Sequence, residues 1–137
     1  MLGELLTAIV TPFRADGSVD LDAFRSLAGF LLDNGSDGIV VAGTTGEAPT
    51  LTDDERLELV AAAVETVGDR GTVVAGTGTY STAHSIHLTQ RAHELGVDDD
   101  PRRDVVEDDR PVGRGRDGLN VRHDPALRRL VVVRRDD

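Results

Sequence analysis

Three short apolar runs, rich in β-branched residues, recur along the first part of the chain. They cover residues 7–11, 38–42 and 72–75, and each is followed by Pro12, Gly43 or Gly76. The runs are continuously apolar rather than alternating, which is typical of parallel strands covered on both faces. Their starts lie 31 and 34 residues apart, which is the length of a strand, a helix and two loops.

Helical periodicity fills the segments between these runs. The first helix is predicted to begin near Asp20 and to end at Asn34-Gly35, a left-handed C-cap signal. The second opens with the capping box of residues 52–55 and ends at Gly68. The third begins near residues 81–82 and ends at Gly96. The positions expected to be buried are Phe24, Leu27, Ala28 and Leu31 in the first helix, Leu57, Val60, Ala61 and Val64 in the second, and Leu88, Ala92 and Leu95 in the third.

The order of elements is therefore β-α-β-α-β-α, which predicts an α/β fold with a parallel sheet. Three such units leave two open sheet edges. An eight-stranded α/β barrel takes about 250 residues, and a doubly wound sheet also needs more than three strands. The pattern indicates the first three βα units of a larger architecture, with a break in character at the place where a fourth strand should follow.

Composition narrows the classes of function. The 137 residues carry a net charge of −10, which argues against a nucleic-acid partner. Cysteine is absent, so disulfides and thiolate metal sites are excluded. All 15 basic residues are Arg, so no lysine amine is available for a Schiff base or a P-loop. No membrane span or signal peptide is visible, and we expect a cytoplasmic protein without a cofactor or a metal.

Residues 98–137 differ sharply from residues 1–97. The first part has 19 charged residues in 97, whereas the tail has 21 in 40 and no aromatic residue. Such a stretch cannot bury enough apolar surface to offset its ordering entropy, so we expect an irregular, disordered tail. The valine runs at 105–106 and 131–133 are too brief to alter that expectation.

The densest cluster of candidate chemistry is the loop Gly43-Thr44-Thr45-Gly46-Glu47, which follows the second strand. Two glycines permit a tight turn, and the two hydroxyls and the free backbone amides are donors suited to a small carboxylate. The carboxyl end of a parallel strand is also where α/β folds bind ligands. The alternative is an ordinary βα turn in which the threonines cap unpaired backbone groups.

Other candidates are weaker. Residues 76–79 read Gly-Thr-Gly-Thr, but a dinucleotide fingerprint requires a third glycine where Ser81 stands. His84 and His87 could share a metal, yet no carboxylate accompanies them on that helix face, and a solvated face is the preferred interpretation. Tyr80 could line a site or a subunit contact, although packing within the chain is the expected role.

Residues 7–13 (Thr-Ala-Ile-Val-Thr-Pro-Phe), the segment 38–47 ending in GTTGE and residues 75–78 together resemble the start of the dihydrodipicolinate synthase family, whose systematic name is 4-hydroxy-tetrahydrodipicolinate synthase. The resemblance covers residues 2–97. It implies a (β/α)8 barrel, usually a homotetramer. It also implies condensation of pyruvate with L-aspartate 4-semialdehyde through a lysine Schiff base, in lysine and diaminopimelate biosynthesis.

The resemblance also implies roles for the residues of the loop. Thr45 would hold the pyruvate carboxylate, and Thr44 would relay protons between two tyrosines. Gly43 and Gly46 would complete the substrate-binding loop. No position for the Schiff-base lysine exists in this chain, because lysine is absent.

The resemblance stops at Asp98, where the family continues with a strand ending in TPYY and this chain continues with Asp-Asp-Pro. The opposite DNA strand of the tail, read backwards from Asp137, can encode VVTPYYNKPPQRG, which resembles the missing family segment. The hypothesis that follows is an inverted gene segment: residues 1–97 are the N-terminal part of a barrel, and residues 98–137 are a non-family tail read from the antisense strand.

Three interpretations of function remain. The first is a dihydrodipicolinate synthase by descent that is inactive as it stands and is not expected to form the family tetramer. The second is another pyruvate-dependent Schiff-base aldolase, similar to N-acetylneuraminate lyase. The third is a non-catalytic fragment, or a small binding protein for carboxylates.

Overall fold

The computed structural model of the chain describes residues 5–97 and the backbone of residues 130–133. It is an α/β structure in which strands and helices alternate up to residue 97. Short 3-10 turns cover Ala48–Thr50 and Gly68–Arg70. The main elements are β1 (Leu6–Ala8), α1 (Leu21–Asp33), β2 (Gly38–Val41), α2 (Asp53–Val67), β3 (Thr72–Gly76), α3 (Thr82–Glu94) and β4 (Leu130–Val133).

The described strands form one sheet in the order β1-β2-β3-β4. Strands β1, β2 and β3 are mutually parallel, with Thr7 opposite Ile39 and Ile39 opposite Val73. Each parallel connection passes through a helix, as a parallel pair requires. The predicted succession of three βα units is therefore confirmed.

Strand β4 was not expected. It pairs with β3 in the antiparallel sense, with Val132 opposite Val74. The sequence predicts no regular structure here, because the valine run is short. Valine favours strands, and the edge of β3 presents unpaired backbone groups that a nearby extended segment can satisfy. The predicted disorder of the remaining tail, and the antisense hypothesis for it, lie outside the described residues.

The helix boundaries follow the predicted caps. The Asp20 side chain accepts a hydrogen bond from the Ala23 N–H at the start of α1, and the chain leaves that helix through Gly35, at φ 97°. Helix α2 has the complete Thr52–Glu55 capping box, and the Ser81 side chain caps α3. No helix within the described residues is long and apolar enough to cross a membrane.

The core lies between one face of the sheet and helices α1 and α2. Phe24 and Ala28 of α1 are fully buried, as predicted, and Leu27 and Leu31 pack against the same cluster. The stripe predicted for α2 is only partly right, since Ala61 and Val64 are half-buried. Helix α2 contacts both α1 and α3, and it therefore buries a wider face. The residues of that face are Arg56, Leu57, Leu59, Val60, Ala62, Ala63 and Val67.

The buried face of α3 also differs at its end. Leu88 and Ala92 are buried as predicted, but Leu95 is 37% exposed. Leu95 is the C-cap residue, so it has left the helical register that would turn it inward. Thr89 is buried in this helix instead, and Val97, just after the helix, is fully buried in the core.

Candidate functional site

The loop of residues 43–47 follows β2 at the carboxyl end of the sheet, where the sequence placed it, and it is a turn rather than part of a helix. Thr44 and Thr45 are exposed, while Gly46 is buried beneath them. Within residues 5–97, two non-glycine residues have positive φ: Ala42 at 51°, just before the loop, and Glu47 at 56°, its last residue. Left-handed backbone at non-glycine residues is uncommon and is found most often where the surrounding structure holds a functional segment in place.

Hydrogen bonds within the loop fix its path. The Glu47 N–H donates to the Thr44 carbonyl at 3.1 Å, and the Ala48 N–H donates to the Gly43 carbonyl at 3.3 Å. Within residues 5–97, the structure records no hydrogen bond from the hydroxyl of Thr44 or Thr45. The turn therefore engages the Gly43 and Thr44 carbonyls and leaves the hydroxyls of two exposed threonines without a partner within residues 5–97.

Thr11 holds the loop from below. Its hydroxyl is buried and donates to the Gly46 carbonyl at 2.7 Å, joining the segment after β1 to the loop after β2. A Cβ at Gly46 would lie 3.2 Å from the Ile9 carbonyl oxygen. Glycine therefore lets the two segments approach closely enough for this bond. The sequence pattern does not single out Thr11, although its place at the carboxyl end of the first strand is a usable signal.

Arg56 holds the loop from the side of α2, and the sequence pattern does not single it out either. Its side chain is 8% exposed. Its Nη2 donates to the Ala48 carbonyl at 2.5 Å, and its Nη1 donates to the Gly78 carbonyl at 3.4 Å. Its buried Nε has no partner in the described part of the chain. One guanidinium therefore joins the loop after β2 to the loop after β3.

The loop after β3 caps a helix. The Thr79 N–H donates to the Ser85 hydroxyl at 2.8 Å, and the Thr79 hydroxyl donates to the Ser81 carbonyl at 2.9 Å. Thr77 is buried, and the Thr89 hydroxyl donates to its hydroxyl at 2.9 Å. These bonds use the polar groups of the segment to position α3. The sequence also argues against a dinucleotide fingerprint here, because Ser81 stands where a third glycine is required.

His84 on α3 pairs with an acidic side chain of α2. No group of three or more histidine, cysteine or acidic side chains that could hold a metal occurs among the described residues. The His84 Nε2 lies 2.7 Å and 2.9 Å from the two carboxylate oxygens of Asp53. The expectation that no carboxylate accompanies these histidines is therefore wrong, because Asp53 reaches across from the start of α2. The resulting pair joins α2 to α3 and leaves both side chains partly exposed.

Tyr80 is fully exposed, so the expectation that it packs within the chain is wrong. It occupies a bend between β3 and α3, and the residues on either side of it, Thr79 and Ser81, are hydrogen-bonded to each other. That turn carries the Tyr80 side chain outward. The alternatives named from the sequence, a site lining or a subunit contact, stay open.

Within residues 5–97, two carboxyl groups have a clearly shifted pKa, and both belong to turns and caps. The pKa of Glu55 is lowered because its carboxylate accepts hydrogen bonds from the N–H and the hydroxyl of Thr52. The pKa of Asp16 is lowered by hydrogen bonds from the hydroxyl and the N–H of Ser18. Neither group faces the GTTGE loop as an acid or a base. The site as described offers hydroxyl and amide donors, and the chain holds no lysine.

Comparison with known proteins places this geometry in a family. The model of the "Dihydrodipicolinate synthetase family" matches residues 1–99. The 4-hydroxy-tetrahydrodipicolinate synthase of Moorella thermoacetica is 60% identical over 96 residues, and that of Acidothermus cellulolyticus is 57% identical over 95. These matches cover 70% and 69% of this chain but only 33% and 31% of the relatives. The chain thus spans about a third of the length of the curated relatives that it matches.

Solved structures agree with the sequence matches. The dihydrodipicolinate synthase from Bacillus anthracis superposes with a TM-score of 0.68 at 46% identity, covering 70% of this chain and 34% of that one. The chloride-inhibited enzyme from Acinetobacter baumannii, solved in complex with pyruvate, gives a TM-score of 0.68 at 36% identity, covering 70% and 33%. The described fold matches the N-terminal part of these barrels, and the chain belongs to the dihydrodipicolinate synthetase family.

Proposed function

We propose that this chain carries the pyruvate-carboxylate subsite of a 4-hydroxy-tetrahydrodipicolinate synthase, in the loop of residues 43–47. The observation that carries the proposal is the pair of exposed, unengaged hydroxyls on Thr44 and Thr45, on a loop anchored from behind by Thr11 and Arg56. Hydroxyl and backbone donors held by the fold bind a carboxylate at little cost in ordering, because their positions are set before the ligand arrives.

Each loop residue has a distinct role in this proposal. The Thr45 hydroxyl donates to the pyruvate carboxylate. Thr44 relays a proton, with tyrosine partners that the matched residues do not supply. Gly43 and Gly46 give the turn its shape, and the close approach of the Gly46 segment to Ile9 supports that role.

The reaction proposed for the complete family protein is the condensation of pyruvate with L-aspartate 4-semialdehyde through a lysine Schiff base. That chemistry needs an amine that attacks the pyruvate ketone. The 137 residues contain no lysine to supply that amine. The 137-residue chain on its own is therefore proposed to be inactive in condensation, because positioned groups account for many orders of magnitude of rate.

Binding is tested separately from chemistry. In saturation-transfer NMR with the 137-residue chain, pyruvate should give a signal that acetone, which lacks the carboxylate, does not give. Thr45→Val should abolish the pyruvate signal, because it removes a donor while keeping a β-branched side chain. Thr66→Val on α2 is the matched control, since its hydroxyl donates to the Ala62 carbonyl within its own helix. A pyruvate signal that survives Thr45→Val would contradict the assignment of Thr45.

Chemistry is tested by borohydride trapping with pyruvate, followed by mass spectrometry, beside a coupled condensation assay. We expect no turnover and no adduct, or an adduct confined to the Met1 amine without turnover. A stoichiometric adduct with turnover would overturn the proposed inactivity of this chain.

A further inference from the structure

The five arginines within residues 5–97 do not share one environment. Four of them have side chains that are 41–51% exposed and pair with carboxylates: Arg14 with Asp20, Arg25 with Glu65, Arg70 with Asp33 and Arg91 with Glu94. Arg56 is buried instead, and its recorded hydrogen bonds go to two neutral carbonyls, those of Ala48 and Gly78. The guanidinium of Arg56 thus carries a positive charge that no salt bridge within residues 5–97 neutralises.

This placement of Arg56 costs free energy. Buried charges are normally paired, because a charge that leaves water needs an opposite charge or a full set of hydrogen bonds in return. The buried Nε of Arg56 has no hydrogen-bond partner in the described part of the chain, which adds to the cost. Arg56 is also the fourth residue of α2, near the end of the helix where the dipole disfavours a cation. Bonds to two carbonyls need donors but no charge, so the charge itself requires a further explanation.

The charge lies beside the proposed carboxylate subsite. The Nη2 of Arg56 donates to the Ala48 carbonyl, and the Ala48 N–H donates to the Gly43 carbonyl at 3.3 Å. Ala48 therefore links the guanidinium to the first residue of the loop that carries Thr44 and Thr45. The loop of residues 43–47 contains hydroxyl and amide donors but no cationic side chain. Arg56 thus brings to this loop the one property that a carboxylate site gains from outside it, a positive charge.

Acidic side chains near the loop act in the opposite direction, but they are less buried than Arg56. Glu47 in the loop and Asp54 on α2 are exposed, and Asp53 is 43% exposed. The Glu55 carboxylate is half-buried and is engaged by Thr52 in the helix cap. Water and salt screen exposed charges more strongly than buried ones. Per unit charge, the buried guanidinium therefore has the larger effect on an anion bound at the loop.

We propose that Arg56 is a specificity-determining residue, whose buried charge makes the loop of residues 43–47 select an anionic ligand over a neutral ligand of the same shape. The proposal rests on the proposed function, because the anion concerned is the carboxylate of pyruvate. The Thr45 hydroxyl makes the contact with that carboxylate, and Arg56 acts on it through space, across the backbone of the loop. The low effective dielectric constant of a protein interior strengthens such an interaction relative to water.

Two substitutions separate the charge of Arg56 from its shape. Arg56→Lys and Arg56→Gln both lose the two-pronged guanidinium and keep a hydrogen-bond donor, but only the lysine ammonium is charged at pH 7. Saturation-transfer NMR titrations of the 137-residue chain measure the dissociation constants of pyruvate and of pyruvamide, a neutral analogue in which an amide replaces the carboxylate. We expect pyruvate to bind the Gln variant about fivefold more weakly than the Lys variant, and pyruvamide to bind the two variants equally.

Arg70→Gln is the charge-matched control. It removes the same charge from a side chain that is 51% exposed, pairs with Asp33 and precedes β3 at the amino end of the sheet, and it should leave the dissociation constant of pyruvate unchanged. Equal pyruvate binding by the Lys and Gln variants of Arg56, the same ratio between these variants for pyruvamide, or an equally large effect of Arg70→Gln would each overturn the proposal. Unfolding of both Arg56 variants would also overturn it, because the side chain would then be required for the structure itself.

The wild-type chain and Thr45→Val separate this inference from the proposed function. If the wild-type chain does not bind pyruvate, or if binding survives Thr45→Val, the assigned subsite and the inference fail together. If pyruvate binds through Thr45 but the two Arg56 variants bind it equally, the subsite stands and the role of the charge alone fails. A fivefold difference between the variants that is seen for pyruvate and not for pyruvamide supports both.

Discussion

The two ends of the parallel sheet are built differently. At the amino end, polar groups pair directly between neighbouring strands: the Leu5 N–H donates to the Asp37 carboxylate at 2.8 Å, and the Asp37 N–H donates back to the Leu5 carbonyl at 2.8 Å. The Ser36 hydroxyl is buried between Thr7 and the Gly38 carbonyl. At the carboxyl end, by contrast, Thr44 and Thr45 of the GTTGE loop are exposed, and bonds from Thr11 and Arg56 hold the loop region.

The strand-to-strand bonds lie at the amino end of the sheet, whereas the proposed carboxylate subsite lies at its carboxyl end. Hydrogen bonds that join strand to strand stabilise the fold and leave nothing for a ligand. At the other end, Thr11 donates to the Gly46 carbonyl and Arg56 to the neighbouring Ala48 carbonyl, so these bonds engage acceptors and none of the loop's donors. In eight-stranded barrels, the carboxyl end carries the active site and the amino end carries stability, and under the proposed function the two ends of this sheet follow the same division.

The largest expected effect is at the amino end. A Cβ at Gly38 would overlap the Thr72 carbonyl oxygen and would lie 2.8 Å from the Leu6 Cδ2 atom. All three residues are within strands, so the backbone cannot shift without breaking the sheet. Gly38→Ala should lower the free energy of unfolding by about 3 kcal/mol, measured by urea denaturation, while pyruvate binding by the molecules that remain folded is unchanged.

Gly29→Ala is the matched control for that substitution. A Cβ at Gly29, in α1, meets nothing within 4 Å, so the change should raise stability by about 0.5–1 kcal/mol through helix propensity. If Gly38→Ala proved as stable as the wild type, the amino end would not be the rigid part of the sheet.

The next effect is at the carboxyl end. A Cβ at Gly76 would overlap the Ala42 carbonyl oxygen and would lie 3.1 Å from the Gly43 N atom. Because Ala42 and Gly43 follow β2 rather than lying within it, the loop can move aside, at a cost of about 2 kcal/mol. Gly76→Ala should therefore shift the amide resonances of residues 43–46 and weaken pyruvate binding. Gly78→Ala, whose Cβ meets nothing within 4 Å, should do neither, and equal effects of the two would refute this account.

A smaller loss of stability is expected when the hydrogen bonds of Arg56 to the loop region are removed. Arg56→Met keeps most of the packing of the side chain and removes the bonds to the Ala48 and Gly78 carbonyls. We expect a loss of about 1 kcal/mol, together with broader or shifted amide signals at Thr44 and Thr45. Arg91→Met is the control, because the Arg91 side chain is 48% exposed and pairs with Glu94 on the same helix, and it should change stability by less than about 0.5 kcal/mol. Loop signals unaltered by Arg56→Met would show that Thr11 suffices to hold the loop.

Local patterns predicted much of this arrangement. The strand runs, the caps at Asp20, Thr52 and Ser81, and the position of the GTTGE loop all depend on neighbouring residues, and the structure has each of them. The sequence did not reveal Arg56, since its acceptors lie 8 and 22 residues away and an arginine on a helix is ordinarily exposed. Strand β4 was missed for a similar reason, because its pairing with β3 joins segments that no local pattern relates.

The smallest expected effect concerns the capping box that starts α2 and so sets the position of Arg56. The Glu55 carboxylate accepts bonds of 2.8 Å from both the N–H and the hydroxyl of Thr52, and these bonds lower its pKa in the folded chain. A carboxyl group whose pKa is depressed by folding stabilises the fold above its unfolded pKa, about 4.3 for glutamate, and loses that contribution as the pH falls through the folded pKa. Glu55→Gln keeps a side chain that can complete the box and removes the charge. The variant should unfold at a slightly lower urea concentration than the wild type at pH 7, and the difference between the two midpoints should shrink at a pH below about 4.3. A difference of equal size at both pH values would mean that the carboxylate charge contributes nothing to this cap, and that hydrogen bonding alone fixes the start of the helix.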